Sequence, residues 1–352
     1  MDNTRKTRVL IVDDSAIVRK ILTDALSAEP DIEVVGSAPD PFVARDKILS
    51  LHPDVMTLDI EMPRMDGLSF LRRIMRYHPL PVIIISSLGQ ASSRAAVDAL
   101  QAGAVEVLAK PDGPYSVGEL RDMLATKIRA AAASRIRRPA VEEHAPPPRP
   151  PLVSKGPSPL HFSSPVSMIA IGASTGGTEA IQEVLTHIPL HSPPIVIVQH
   201  IPAVFSKAFA DRLNGLCAIE VKEAQDGDAL LPGRALIAPG GYHMLVRKHA
   251  DGFKVALSST LPPVCYQRPA VDVLFQSVAE VAGPTIVAAL LAGMGADGAQ
   301  GMVALKQVGA KTIAQDEASC VVFGMPREAI RLGCIDSVLP LERVASGILR
   351  WV

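Results

Sequence analysis

The chain has 352 residues, enough for about two domains at ~150 residues each. Hydrophobic residues make up 48% and charged residues 20%, a globular composition that excludes wholesale disorder. Lys and Arg number 35 against 36 Asp and Glu, for a net charge of −1, which is no footprint for nucleic acid. Four cysteines form no C-x-x-C pair, which favours a reducing, cytoplasmic setting over a disulfide framework. The amino terminus lacks a secretory pattern, and the longest apolar stretch, around 286–294, is too short to span a bilayer. A soluble protein with no direct membrane insertion is expected.

In chain order, apolar runs at 9–12, 32–35, 55–58, 82–85 and 105–108 are each followed by a helix-like segment. That rhythm predicts a parallel sheet with covering helices, a flavodoxin-like (βα)5 domain over residues 1–134. Its ligands should sit at the carboxyl ends of the strands. Composition then breaks. Residues 135–165 hold nine of the chain's 30 prolines and carry five basic against two acidic residues. No helical or strand period survives there, which predicts a flexible, semi-extended tether. Over residues 166–352 the alternation returns, with strands expected at 166–171, 195–198, 235–238 and 285–291. Asp251-Gly252 between two alternating runs signals an antiparallel hairpin within 241–258. The fold class expected is α/β, the second domain being a doubly wound, mostly parallel sheet with an antiparallel hairpin.

Polar residues close the strands of the first domain. Asp13-Asp14 follows the first, Asp59 the third, just before Glu61-Met62-Pro63-Arg64-Met65-Asp66-Gly67; Ser86-Ser87 closes the fourth and Lys110-Pro111 the fifth. Three carboxylates on one rim repel one another unless a cation is present, and hard oxygen ligands suit Mg²⁺. A lysine and a hydroxyl across the rim would complement an anion built on one carboxylate. This ordered set resembles the receiver domain of two-component response regulators. The resemblance implies that Asp59 is the phosphoacceptor, served by a histidine kinase as phosphodonor. It implies further that Asp13, Asp14, Asp59 and the backbone carbonyl of Glu61 hold Mg²⁺, and that Ser86 and Lys110 sense the phosphoryl group. Val107 departs from the pattern, because receivers often carry an aromatic residue there.

In the second domain the first strand runs into Gly172-Ala173-Ser174-Thr175-Gly176-Gly177, followed by a helical pattern. Two readings compete. Glycines opening a helix can cradle phosphate on backbone N–H groups, while G-x-S-x-G between strand and helix matches a nucleophile elbow. G-x-G-x-x-G, G-K-[ST] and an acidic residue closing the next strand are all missing, which weakens the phosphate reading without removing it. The next strand ends in Gln199-His200. Consecutive parallel strands tend to be neighbours, so His200 should share a rim with Ser174. Strand 285–291 leads into Ala292-Gly293-Met294-Gly295-Ala296-Asp297-Gly298, which makes Asp297 the natural third partner; Asp272 and Asp316 are less well placed.

With Asp226-Gly227-Asp228, Ala238-Pro239-Gly240-Gly241-Tyr242-His243 and Val271-Asp272-Val273-Leu274-Phe275, these motifs resemble the chemotaxis-specific protein-glutamate methylesterases over nearly the whole chain. The resemblance implies a Ser174–His200–Asp297 triad with oxyanion donors at the backbone N–H groups of Thr175 and Met294. It implies hydrolysis of glutamate γ-methyl esters on methyl-accepting chemoreceptors with release of methanol, deamidation of receptor glutamines, and no cofactor for the hydrolysis itself. Ala292 stands where members often have threonine, and Cys265-Tyr266-Gln267-Arg268 where a histidine-containing stretch is common. The order receiver, tether, hydrolase suggests that the unphosphorylated receiver covers the rim bearing Ser174 and His200. The rivals are a DNA-binding output, for which no basic helix-turn-helix unit is evident, a dinucleotide-binding module, and the same esterase chemistry on a substrate outside chemotaxis.

Overall fold

A computed structural model describes residues 5–87, 89–110, 117–134 and 166–352; the proline-rich segment 135–165 and Pro111 lie outside the described residues. The first part runs β1 (Thr7–Val12), α1 (Ala16–Ser27), β2 (Ile32–Ala38), α2 (Pro41–Leu51), β3 (Val55–Asp59), α3 (Gly67–Tyr77), β4 (Val82–Ser86), α4 (Gln90–Gln101), β5 (Glu106–Ala109) and α5 (Val117–Ala132). All five strands pair in parallel, in the order β2-β1-β3-β4-β5. Helix starts follow local chemistry: Ser15, Asp40 and Asp66 each accept a hydrogen bond from a first-turn N–H, the usual role of an N-cap side chain. Alternation along β1 divides the core, with Leu10 and Val12 facing α2–α4 and Val9 and Ile11 facing α1 and α5. Strand order reverses between β1 and β3, and Asp13 and Asp59 stand at the ends of those two strands. Such a crevice is the usual ligand position in an open α/β sheet.

The second part runs β6 (Met168–Ala173), α6 (Gly177–Thr186), β7 (Ile195–Gln199), α7 (Ala203–Leu216), β8 (Glu220–Glu223), β9 (Arg234–Ile237), β10 (His243–His249), β11 (Gly252–Ser258), α8 (Val271–Ala282), β12 (Ile286–Leu290), α9 (Ala299–Gln307), β13 (Lys311–Gln315), α10 (Met325–Arg331), β14 (Ser337–Leu339) and α11 (Leu341–Leu349). The main sheet is parallel throughout, in the order β14-β13-β12-β6-β7-β9-β8. Three of its strands, β8, β13 and β14, were not expected; β8 reads Glu-Val-Lys-Glu, a polar edge strand without a buried apolar run. The hairpin forms as expected, but as a separate two-stranded sheet turning at Ala250-Asp251, with Gly252 at φ 128° already paired to His249. Here the order reverses between β6 and β12, so the loops after those strands, which carry Ser174 and Asp297, flank the crevice.

The two parts touch along α4 and α7. One cluster of buried residues runs from Val97, Leu100 and Val107 through Ile201 and Phe205. Arg212 Nη1 bonds Asp98 Oδ1 at 2.6 Å across the same seam. Among the described residues no helix is long and apolar enough to cross a membrane.

Candidate active site

Ser174 is the first residue past β6 and His200 the first past β7. The two strands are direct neighbours, with Ala173 opposite Gln199. Ser174 N–H donates to Ala292 O (3.0 Å) and His200 N–H to Ala173 O (3.1 Å), so the backbone fixes both before any side chain acts. Ser174 Oγ lies 3.0 Å from His200 Nδ1, and His200 Nε2 lies 2.7 Å from Asp297 Oδ2. All three residues are buried. Asp297 reaches them from the loop after β12. Of the three carboxylates considered, it is the one the structure brings to His200.

Asp297 is itself held by a helix end. Val271 N–H donates to its Oδ2 (2.7 Å) and Asp272 N–H to its Oδ1 (2.9 Å), so the positive end of α8 faces the carboxylate. Asp272 accepts from Gly301 N–H at 2.7 Å, and burial pushes its carboxyl up to about 6, with the neighbouring Asp297 charge adding to the effect. Sequence patterns missed these backbone donors, and three side chains as well. Gln199 Nε2 donates to Ser174 O (2.8 Å) and His200 O (3.1 Å), tying nucleophile and base together. Gln315 Oε1 accepts from Ala292 N–H (2.8 Å) at the root of the 292–298 loop. His243 accepts from Ala270 N–H through Nδ1 (3.2 Å), and its Nε2 pairs with Pro262 O (3.0 Å), holding the segment that leads into α8. Amides and buried imidazoles carry no periodic signal; Gln199 and His243 stand inside motifs already noted, whereas Gln315 ends β13, a strand that was not expected.

Glycines of two loops pack closely beside Ser174. A Cβ at Gly176 (φ 79°) would lie 2.5 Å from Val321 Cβ, and one at Gly293 2.9 Å from Ser174 Cβ. These glycines permit close packing around the serine, as an elbow requires. Among the described residues, neither Thr175 N–H nor Met294 N–H has a hydrogen-bond acceptor, which leaves both free for an oxyanion. The Thr175 hydroxyl is not free: it donates to Glu106 Oε2 (2.7 Å) and accepts from Lys127 Nζ (3.2 Å), while Lys127 pairs with Glu106 at 2.6 Å. Glu106 lies on β5 and Lys127 on α5, so the first part of the chain grips the residue beside Ser174. Between the two parts lies a cavity of about 200 Å³ lined by Val107, Met123 and Lys127 on one side and His200, Tyr266 and Arg268 on the other.

The rim of the first sheet gathers the other expected residues. Asp13, Asp14 and Asp59 place carboxylate oxygens within 4.8 Å of one another. Lys110 Nζ sits 2.7 Å from Asp59 Oδ2 and 3.0 Å from Asp13 Oδ2. Burial pushes Asp59 up to about 6 against the pull of Lys110, and it raises Asp13 in the same way. Burial works against the Lys110 charge, but its hydrogen bond to Asp59 and the charges of Asp59 and Asp13 hold its pKa above the ordinary value. Asp13 Oδ2 is buried, and the Lys110 ammonium at 3.0 Å is its near partner. Three carboxylates with one lysine between two of them leave an excess of negative charge and hard oxygen ligands, which fits a divalent cation. Ser86 is buried at the end of β4, and its carbonyl accepts from Lys110 N–H (2.8 Å). The Glu61 side chain accepts from Ser87 (2.9 Å) and from Ser92 of α4.

Residues 169–348 match the family model described as CheB methylesterase, and residues 9–124 match the response regulator receiver domain. The chain is 54% identical over 351 residues to a protein-glutamate methylesterase/protein-glutamine glutaminase of Syntrophus aciditrophicus, with 99% of both chains covered. The chain belongs to the protein-glutamate methylesterase family. The Salmonella typhimurium member is 49% identical over 346 residues, covering 98% of this chain and 96% of its own. The crystal structure of the Thermotoga maritima CheB methylesterase catalytic domain superposes with a TM-score of 0.52 at 36% identity, covering 53% of this chain and 99% of that one. The expected fold and family both agree with these likenesses.

Proposed function

We propose that this family member is a receiver-controlled protein-glutamate methylesterase in which Ser174, His200 and Asp297 carry the hydrolysis. The observation that carries the reading is the buried relay of 3.0 and 2.7 Å through one imidazole. His200 Nδ1 takes the proton as Ser174 Oγ attacks the carbonyl carbon of a glutamate γ-methyl ester. Asp297 accepts the Nε2 proton's hydrogen bond, fixing the tautomer and stabilising the imidazolium. The N–H groups of Thr175 and Met294 receive the oxyanion, worth about 3–4 kcal/mol per donor in comparable sites. Collapse expels methoxide, which takes the proton from His200 and leaves as methanol. Water then attacks the acyl-serine by the same route to give glutamate. A glutamine amide follows the same path with ammonia as leaving group.

The division proposed is a receiver over 1–134, a tether over 135–165 and the esterase over 166–352, working in the cytoplasm on methyl-accepting chemoreceptors. Asp59 takes the phosphoryl group from a chemotaxis histidine kinase. Asp13, Asp14, Asp59 and the Glu61 carbonyl would hold Mg²⁺, which offsets the charge of the incoming phosphoryl group. Lys110 and Ser86 then meet the new anion. The Glu106–Lys127–Thr175 contact supports control by docking, with the receiver seated over the side of the crevice that His200 lines. A phosphoryl group beside Glu61 would disturb its bonds to Ser87 and Ser92, and through α4 the seam with α7.

The test is methanol release from methyl-labelled chemoreceptor membranes with and without Mg²⁺ plus a small phosphodonor. Release that rises with the phosphodonor is expected, lost in Ser174→Ala and made unresponsive in Asp59→Asn. No release under either condition from folded protein sinks the reading.

A further inference from the structure

Beside the crevice, residues 264–267 form a two-residue hairpin: Gln267 N–H donates to Val264 O (2.8 Å) and Val264 N–H to Gln267 O (3.1 Å). Its tip residues, Cys265 and Tyr266, take φ values of 50° and 62°. Both belong to the left-handed region that such turns demand, and Asn and Gly fill it at less cost than a bulky aromatic residue. The base of the hairpin is pinned. Arg268 Nη1 donates to Ser259 O (2.5 Å), Gly241 N–H donates to Arg268 O (2.9 Å), and His243 bridges Pro262 and Ala270 on either side. On this braced tip Tyr266 is 99% exposed, yet it borders the same cavity as His200. A ring so exposed adds almost no apolar burial to the fold, and its backbone conformation is unfavourable. Such a combination points to a contact made with a ligand. Tyrosine suits that task, since its ring adds contact area at small entropic cost.

We propose that Tyr266 is a substrate-contact residue, its ring packing against the receptor segment next to the ester as that ester enters the crevice. The inference rests on the esterase reading above and adds a specificity element to it. Because the ring is exposed even with the receiver seated, its contribution is independent of docking.

The experiment uses the full-length protein with Mg²⁺ and phosphodonor, and follows the initial rate of methanol release against the concentration of methyl-labelled chemoreceptor. Tyr266→Gly removes the ring while easing the left-handed turn, so its thermal midpoint should equal or exceed that of the parent. Its KM should rise about tenfold, the scale of one aromatic ring left unburied, with kcat within twofold of the parent. Tyr266→Phe should restore the parental KM to within about twofold, and the fold-change for the glycine variant should be the same without phosphodonor. A glycine variant with unchanged KM, or one in which kcat falls while KM stays, overturns the proposal. A parent protein that releases no methanol overturns the esterase reading, and this inference with it.

Discussion

At the scale of residues, the carboxylates around His200 are sorted by environment. Asp297 accepts two backbone N–H bonds and one from the imidazole, whereas burial lifts Asp272 to about 6. Replacing Asp297 with Asn puts an amide donor where acceptors are needed and favours the wrong tautomer. A fall of roughly 10⁴ in kcat is expected by analogy with other triads, read as methanol release. Asp272 makes a separate prediction about stability. Its folded pKa is raised above the ordinary 3.8, so between pH 4 and 6 the folded state holds more protons than the unfolded one. Stability therefore declines as pH rises through that window and levels off above it. Asp272→Asn keeps an acceptor for Gly301 N–H and removes the buried charge. The variant should be more stable than the parent at pH 7.5, by up to roughly 3 kcal/mol, with the difference vanishing near pH 4. Thermal or urea unfolding across that range checks it, and parallel pH profiles for the two proteins would contradict it.

At the scale of elements, the seam between α4 and α7 joins the two halves through packed aliphatic side chains and one cross-seam ion pair, Asp98–Arg212. Each partner is more than a third exposed, so the pair contributes little by itself. Reversing one charge places like charges at contact distance. Asp98→Lys and Arg212→Glu should each raise methanol release without phosphodonor by about fivefold, equivalent to ~1 kcal/mol of docking, and leave the phosphodonor-stimulated rate within about twofold. The double reversal should return the unstimulated rate toward the parent, as expected for directly coupled residues. Additive effects in the double variant would remove this seam from the account. The other link from Asp59 to α4 runs through Glu61, Ser87 and Ser92. Val107 is buried and borders the inter-domain cavity, where it offers no bulky ring to carry the signal. Ser92→Ala should therefore blunt phosphodonor stimulation while leaving the unstimulated rate near that of the parent.

At the scale of the whole molecule, two sheets of the same architectural class serve different chemistries because their switch-point crevices hold different residues. One gathers carboxylates and a lysine; the other gathers a hydroxyl, an imidazole and a carboxylate. The cation requirement should divide accordingly. Chelation with EDTA should abolish stimulation by the phosphodonor and leave the unstimulated release of methanol unchanged. Loss of both on chelation would place a metal in the hydrolytic half, contrary to the proposed division of labour.

The alternation of strands and helices, the ends at which polar residues collect, and the order of the motifs are all legible in the amino-acid order alone. Those features are local: a strand's apolar period and the residue that follows it are written in consecutive positions. Ser174 and His200 could be named because they follow consecutive strands, which tend to be neighbours, and Asp297 because it follows another strand end just before a helix; the structure brings the three together. Tertiary structure decided the rest. Strand β8 is polar and β14 only three residues long, so pairing with neighbours makes them strands where composition does not. The supports of Asp297 come from backbone N–H groups 25 and 26 positions away, and every sequence possesses such groups. The grip of Glu106 and Lys127 on Thr175 spans 69 and 48 positions. It depends on how two separately folded sheets meet, and no periodicity within either one encodes that meeting.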